Sequence, residues 1–224
     1  MFAELPERQT LKLETANLEP FLNALAAKQP TPGGGSASAL GGAIGVALGS
    51  MAANYTVDNE KYDEFDAAAR AALGALEALR GEFLVLMEQD IAAYDSYRAA
   101  LTLPKGTPDE KNARSKALAA AREQSTVVPE HILRAAQQGL ETVLALSAAC
   151  NPNLAGDVAS SAYFLEACAR AAAIQIVSNC AAADSDGANA RRRGQAANSV
   201  ALCQTLREKI HSGVSLLILP ISKN

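Results

Sequence analysis

The chain has 224 residues, 49% of them apolar but only 4% aromatic, and its formal net charge is −4. That length and apolar content are enough for one domain with a sizeable core and no covalent staples, and scarce aromatics beside abundant alanine argue against a sheet of bulky side chains and for closely packed helices. The acidic balance lacks the basic footprint that a nucleic-acid partner requires.

Taken in chain order, a first helix is expected after Asn17 as N-cap, running to about Lys28 with Leu18, Phe21, Leu22 and Leu25 along one side. Pro30, Thr31, Pro32 and Gly33 to Gly35 break it, and Ser36 is placed to cap a glycine-rich helix that follows. Residues Ser36 to Ala53 are about as long as a membrane span, yet they are mainly Gly, Ala and Ser without an anchoring aromatic or basic flank. They read as a buried core helix, and no membrane partner is expected. Gly41, Gly45 and Gly49 lie four apart, a spacing that lets another helix approach closely or serves a subunit interface.

From Glu60 to Leu101 the apolar positions recur at steps of three or four through Tyr62, Phe65, Ala69, Leu73, Leu76, Leu79, Phe83 and Leu86 to Tyr94, Tyr97 and Leu101. The pattern predicts one long bundle helix, with Tyr94 and Tyr97 in the core. One position on this apolar seam is an acid, Asp90. After the Leu103 to Gly106 turn, Thr107, Pro108, Asp109 and Glu110 read as N-cap, first-turn proline and capping box. That next helix is expected to kink or break before Pro129, resume at Glu130 and end near Cys150, where Asn151, Pro152 and Asn153 supply turn chemistry. Further helices are predicted over Leu154 to Ala183 and Ala188 to Ser212, before an apolar tail from Val214 to Ile221. Long helices joined by short polar turns describe an all-α, up-and-down bundle forming a single domain over residues 1–224.

Cys150, Cys168, Cys180 and Cys203 form no CxxC pair and have only His131 and His211 to join them, so buried reduced thiols are expected and a zinc site is not. The N-terminus does not read as a signal peptide, which points to a cytoplasmic protein.

A carboxylate on an apolar seam must be desolvated, at a cost of several kcal/mol unless a partner or a shifted pKa offsets it. Asp90 is therefore either a functional acid or one tied to a buried cation or backbone end. The Pro30 to Ser36 segment could expose amides at the positive end of a helix and bind an anion, or it could be a tight turn with close backbone packing. It is neither a P-loop nor a dinucleotide fingerprint. Asp157 sits where a helix dipole favours an acid with or without a function, Asn179 reads as a satisfied core amide, and Arg191 to Arg193 as a solvated face.

The PTPGGGSASALGGAIGVALGSMAANYT block, Lys61 with Tyr62, Asp90 with Ala93 and Tyr94, LPKGTPDE from Leu103, Val128 with Pro129, NPN from Asn151, Asp157 and Asn179 occur in a characteristic order. With these segments the chain resembles, over about Leu18 to Ala183, the formiminotetrahydrofolate cyclodeaminases and methenyltetrahydrofolate cyclohydrolases. Gly156 stands before Asp157 where that family often has Ser, and the likeness fades after Asp184, leaving Ala188 to Asn224 without assigned chemistry.

The resemblance implies an all-helical homodimer with no metal and no tightly bound cofactor, acting on a tetrahydrofolate derivative as substrate. Its reaction would be hydrolysis of 5,10-methenyltetrahydrofolate to 10-formyltetrahydrofolate, or closure of formiminotetrahydrofolate with loss of ammonia. The first is favoured because Lys61–Tyr62 is similar to the cyclohydrolase branch and no formiminotransferase domain accompanies the chain; a non-catalytic helical scaffold is the alternative of a different class. The catalytic residues implied are Asp90 and Asp157, and the substrate-binding residues Gly33, Gly34, Gly35, Ser36, Lys61, Tyr62 and Asn179. Asp90 would stabilise charge and move a proton, Asp157 would be the second acid or orient substrate, Lys61 would meet a folate anion or polarise an oxygen, and the glycine amides would grip the pterin or the glutamate. On one straight helix Lys61 and Asp90 stand roughly 43 Å apart. They can meet only if the helix breaks or if antiparallel subunits bring the ends of two chains together. Asp157 and Asn179 are separated by roughly 33 Å on the same reasoning, which ranks Asn179 below the two acids.

Overall fold

The structure, a computed structural model, describes residues 18–180 and 187–218, with side-chain environments as far as Ser215. Among the described residues all regular structure is helical. Helix α1 spans Glu19–Ala26, starting from Leu18 as N-cap and ending where Ala27 turns extended; it buries no residue. The expected cap at Asn17 lies outside the described residues. The long helices are α2 (Gly34–Asn54), α3 (Asp66–Thr102), α4 (Pro108–Ser147), α5 (Ala155–Asn179) and α6 (Ala188–Ile218). Short 3-10 turns at Glu60–Phe65 and Pro152–Leu154 lead into α3 and α5. Helix α2 packs against α3, α4 and α5, α4 also contacts α3, α5 and α6, and α5 lies on α6.

The local signals act as expected at several ends. Glu110 N–H donates to Thr107 Oγ1 at 3.2 Å while Glu110 Oε2 accepts from Thr107 N–H at 2.9 Å, so the capping box starts α4. The Asn151 turn separates α4 from α5, with Asn151 Oδ1 accepting from Asn153 N–H. Other ends differ. The expected single helix from Glu60 to Leu101 is divided: its first residues form the 3-10 turn, whose Tyr62 has non-helical dihedrals, and α3 begins at Asp66. The α-helical part of the segment predicted over Leu154 to Ala183 begins at Ala155 and closes at Asn179; residues 181–183 lie outside the described range. Helix α6 passes Ser212 to Ile218, so the start of the expected tail is helical and Val214 is buried; residues 219–221 are not described.

Helix α4 does not break before Pro129; it is continuous and Pro129 is buried inside it. Proline removes the N–H that would bond the carbonyl four residues back, here that of Ser125. The Ser125 carbonyl instead accepts a hydrogen bond from Asn179 Nδ2 at the end of α5. An interhelical partner thus replaces the missing helical one, and the rod survives its proline.

The core helix α2 carries no charged residue and is the one described helix long and apolar enough to cross a membrane, but 61% of its most apolar window is buried inside the bundle. Its close approaches come from Gly42, Gly45 and Gly49 rather than from Gly41, around which an added Cβ would meet nothing. At Gly42 a Cβ would stand 2.4 Å from the Phe83 ring, and at Gly45 2.8 Å from Leu165 Cγ. Steps of three and four keep these glycines on one inward face of a 3.6-residue helix, whereas Gly41 is turned outward. Ser161 Oγ–H fastens α5 to α2 by donating to the Gly45 carbonyl at 2.7 Å.

Between α5 and α6, Glu166 is buried and receives Arg207 Nε and Arg170 Nη2, each at 2.7 Å. Burial pushes its carboxyl up, but the two guanidinium groups outweigh that and hold it below the usual glutamate range. Cys150, Cys168, Cys180 and Cys203 are all buried thiols that form no disulfide. Burial pushes the Cys168 thiol up to about 12 and Cys203 to about 11, which leaves both protonated and unreactive at neutral pH.

Candidate active site

The glycine-rich turn and the acid on the apolar seam, far apart in sequence, meet at one place. Gly33 is the extended N-cap of α2, so Gly34, Gly35 and Ser36 form the first helical turn, and the cap expected at Ser36 is shifted to Gly33. Ser36 Oγ accepts from Gly33 N–H at 3.0 Å and donates to Gly33 O at 3.1 Å, which closes the turn. Ser36 N–H, one of the amides that a helix start leaves without an internal partner, donates to Asp90 Oδ2 at 2.7 Å. Asp90 therefore caps α2 from the side of another helix.

Two glycines make room for this contact. An ideal Cβ on Gly35 would lie 2.0 Å from Asp90 Oδ1, and one on Gly34 would lie 2.5 Å from Gln175 Nε2. Neither position tolerates a side chain unless its neighbour moves. Asp90 itself is half-buried. Burial, the largest influence, raises its pKa above the ordinary aspartate value; hydrogen bonding from the Ser36 amide and hydroxyl pulls the other way without cancelling it. The positive end of the α2 dipole lies beside it. The result is a carboxyl group fixed in place through Oδ2 and with a raised proton affinity.

A cleft of about 500 Å³ opens over this group, within the usual size for a small-molecule site. Gly33 to Gly35 supply backbone from α2, Asp90, Tyr94 and Tyr97 come from α3, Arg122 and Ser125 from α4, and Gln175, Ser178 and Asn179 from α5. Tyr94 and Tyr97 are not core as expected: Tyr94 is 40% exposed and Tyr97 half-buried, both on the cleft wall, while Ala93 and Ala100 take the inward positions. Asn179 is not a buried amide either; it is exposed, lines the cleft and holds the Ser125 carbonyl. Ser36 is fully buried and lies behind the cleft.

Lys61, Tyr62 and Asp157 lie elsewhere. Lys61 is exposed in the 3-10 turn beyond the C-terminal end of α2. Tyr62 O–H donates to Asn151 Oδ1 at 3.0 Å, and Asn151 N–H donates to Thr56 Oγ1 at 3.0 Å. Asp157 follows in the first turn of α5. Helix α2 spans 21 residues, so this second group is roughly 30 Å from Asp90 along the helix axis. Within one chain Asn179 joins Asp90, whereas Asp157 and Lys61 do not, the reverse of the ranking drawn from separation along α5. Arg122, Ser125, Gln175 and Ser178 were not singled out in the sequence. Only Arg122 carried a readable signal, a cation on the helix preceding the Val128–Pro129 pair. Among the described residues no group of three His, Cys, Asp or Glu side chains is arranged to hold a metal ion.

A profile of the formiminotransferase-cyclodeaminase family matches residues 17–198. The chain is 32% identical over 197 residues to a methenyltetrahydrofolate cyclohydrolase of Methylorubrum extorquens, a match covering 88% of this chain and 95% of that protein. It is 29% identical over 161 residues to the formimidoyltransferase-cyclodeaminase of Rattus norvegicus, covering 72% of this chain but 29% of the longer protein. The fold is shared with the formiminotetrahydrofolate cyclodeaminase of Thermotoga maritima at a TM-score of 0.78 and 22% identity, over 90% of this chain and 97% of that one.

The glycine contacts predict a contrast. Gly35→Ala must displace the carboxyl of Asp90, a short side chain pinned by Ser36, and is expected to destabilise the fold by about 1–3 kcal/mol. Gly34→Ala need only swing the flexible end of Gln175 and should be nearly neutral; thermal unfolding of both variants checks the difference. The raised pKa has a definite sign as well. Asp90 binds its proton more tightly in the folded chain, so its contribution to stability is fully present below the unfolded value of about 3.9 and is lost as pH rises through the higher folded value. Denaturant titrations across that window should show the wild type losing stability with rising pH relative to Asp90→Asn, which does not titrate there.

Proposed function

Because the chain belongs to the formiminotransferase-cyclodeaminase family, we propose that it is a folate one-carbon enzyme hydrolysing 5,10-methenyltetrahydrofolate to 10-formyltetrahydrofolate. Similarity to a protein of that activity along almost the whole of both chains supports the reading. The observation that carries it is the carboxyl of Asp90, held by the Ser36 amide at the base of the cleft with its pKa raised by burial.

The chemistry follows from that group. The methenyl carbon lies between two nitrogens and carries cationic amidinium character, so a nearby carboxylate stabilises the bound substrate and orients a water toward it. As water adds, a new C–O bond forms and Asp90 takes the proton that the water sheds. The tetrahedral carbon then collapses: the bond to N5 breaks, N5 receives the proton from Asp90, and the hydroxyl loses its own proton to solvent as the formyl C=O forms. Atoms and charge balance as cation plus water giving neutral 10-formyl product and one proton. Desolvation suits Asp90 to both halves of this exchange, since an acid with raised proton affinity is a better base at the first step and still a competent donor at the second. The Gly34 and Gly35 backbone and the Gln175 and Asn179 amides offer polar edges for the pterin.

A second reading, closure of formiminotetrahydrofolate with release of ammonia, is favoured by the match to the rat protein. It would use the same carboxyl to protonate the departing amine. No metal and no tightly bound cofactor enter either scheme, the tetrahydrofolate derivative being substrate.

The chain would act as a homodimer. Leu40, Ile44, Ala47, Met51 and Tyr55 run along the outward face of α2 at helical spacing, with Ile44 40% and Tyr55 57% exposed. A second copy laid antiparallel on this face, with the two-fold axis near Ile44, would bury the stripe. It would also carry the partner subunit's Lys61 and Tyr62 toward the Asp90 cleft, giving the residues at the far end of α2 a place in the site, with Asp157 behind them.

Asp90→Asn keeps an oxygen to accept from Ser36 but cannot carry a proton. It should fold and still lose methenyltetrahydrofolate hydrolysis by about 10²–10⁴-fold, read from decay of the near-ultraviolet methenyl band; retained turnover would remove Asp90 from the chemistry. Ammonia release from formiminotetrahydrofolate, assayed in parallel, separates the two reactions. Ile44→Glu should yield a folded monomer in sedimentation; an unchanged dimer would place the interface on another face.

A further inference from the structure

Among the described residues Arg122 is the one cation lining the cleft and Asp90 the one acid. Arg122 is exposed, and its guanidinium makes no hydrogen bond or ion pair among the described residues. The acid next to it in sequence does not neutralise it, because Glu123 is bound to Arg192, which also reaches Glu130 at 3.2 Å. What positions Arg122 is an aromatic ring: its guanidinium carbon stands 6.0 Å from the centroid of Tyr97. A cation held on a ring, with its donors unspent, is arranged to receive an anion.

The order of groups along α3 gives that anion a place. Asp90, Tyr94 and Tyr97 are spaced four and three apart, so they share one face of the helix. Passing along the cleft wall one meets a carboxyl, then a ring, then a ring that carries the guanidinium of Arg122. Along α3, Asp90 and the Tyr97 that carries the guanidinium are about 10 Å apart at the usual helical rise. A methenyltetrahydrofolate has the same sequence of chemistries: a cationic one-carbon bridge, an aromatic aminobenzoyl ring, and a glutamate with free carboxylates. The opposite orientation would set the glutamate dianion against Asp90 and the cation against Arg122, which like-charge repulsion opposes.

We infer that Arg122 receives a glutamate carboxylate of the folate, with Tyr97 holding the guanidinium and Tyr94 meeting the aminobenzoyl ring. Arg122 is thus a positioning residue that sets the direction in which substrate lies across Asp90. This assignment rests on the folate reading above. It acts in binding the ground state and the transition state alike, so its loss weakens binding and leaves the chemical step alone.

The test compares 5,10-methenyltetrahydrofolate with the corresponding methenyltetrahydropteroate, which lacks glutamate, in the wild type, Arg122→Ala and Arg122→Lys. Arg122→Ala should raise KM for the glutamylated substrate roughly tenfold, the effect of losing about 1.4 kcal/mol of binding, with kcat unchanged. It should leave the pteroate kinetics as they are in the wild type. Arg122→Lys should recover part of the loss, because the charge remains while the forked donor geometry does not. An equal effect of Arg122→Ala on both substrates, a fall in kcat at constant KM, or no effect would overturn the assignment. A wild type that turns over both substrates equally well would overturn it while leaving the folate reading intact; a wild type that turns over neither would end that reading and this one together.

Discussion

The structure depends on a carboxyl group placed against the start of a helix. Asp90 accepts from Ser36 N–H at 2.7 Å, and it can come that near only because Gly35 has no Cβ. The contact joins α3 to α2 and satisfies a donor that the helix start leaves unpaired. The same enclosure makes the acid hold its proton more firmly. Structural and chemical readings of Asp90 are therefore not alternatives. The bond that fixes the side chain engages Oδ2 and the residue also lines the cleft, so the group that caps α2 is the same one to which the proposed reaction gives the proton.

A similar double use holds on the opposite wall. Pro129 removes a helical N–H and frees the Ser125 carbonyl, and Asn179 supplies the replacement donor. This ties the end of α5 to the middle of α4, which sets the width of the cleft there and brings Gln175, Ser178 and Asn179 into its wall. Arg122, one turn before Ser125 on α4, is carried by the same rod to face Tyr97. The cleft is thus bounded by two departures from regular helix geometry, a glycine start and a proline interior, each closed by a side chain from another helix.

Helix α2 connects this cleft with the far end of the molecule. Its inward face is built of small residues that admit Phe83, Leu76 and Leu165 at close range. Its outward face is apolar and partly exposed. A helix of that kind satisfies its buried side within the chain and leaves an apolar strip that a second copy could cover. The proposed antiparallel pairing would make the separation of Lys61 and Tyr62 from Asp90 a matter of one chain only.

The sequence by itself determined the all-helical class, the start of α4, the turn at Asn151 and the anomaly at Asp90, because each is a local quantity: a period, a capping pattern, or one residue out of place on a face. It also singled out the glycine turn, though not the shift of its cap to Gly33. Only the tertiary structure decided what Asp90 touches, why Pro129 leaves α4 whole, and that Asn179 rather than Asp157 shares a wall with Asp90. It alone turned Tyr94, Tyr97 and Arg122 toward the cleft. The physical reason is that the cleft is assembled from four helices, and the rotation of each about its own axis is set by which glycines and alanines its neighbours press against. A 3.6-residue period marks which side of a helix is apolar; it does not say which neighbour that side meets, or which polar residues at its margin then face one another.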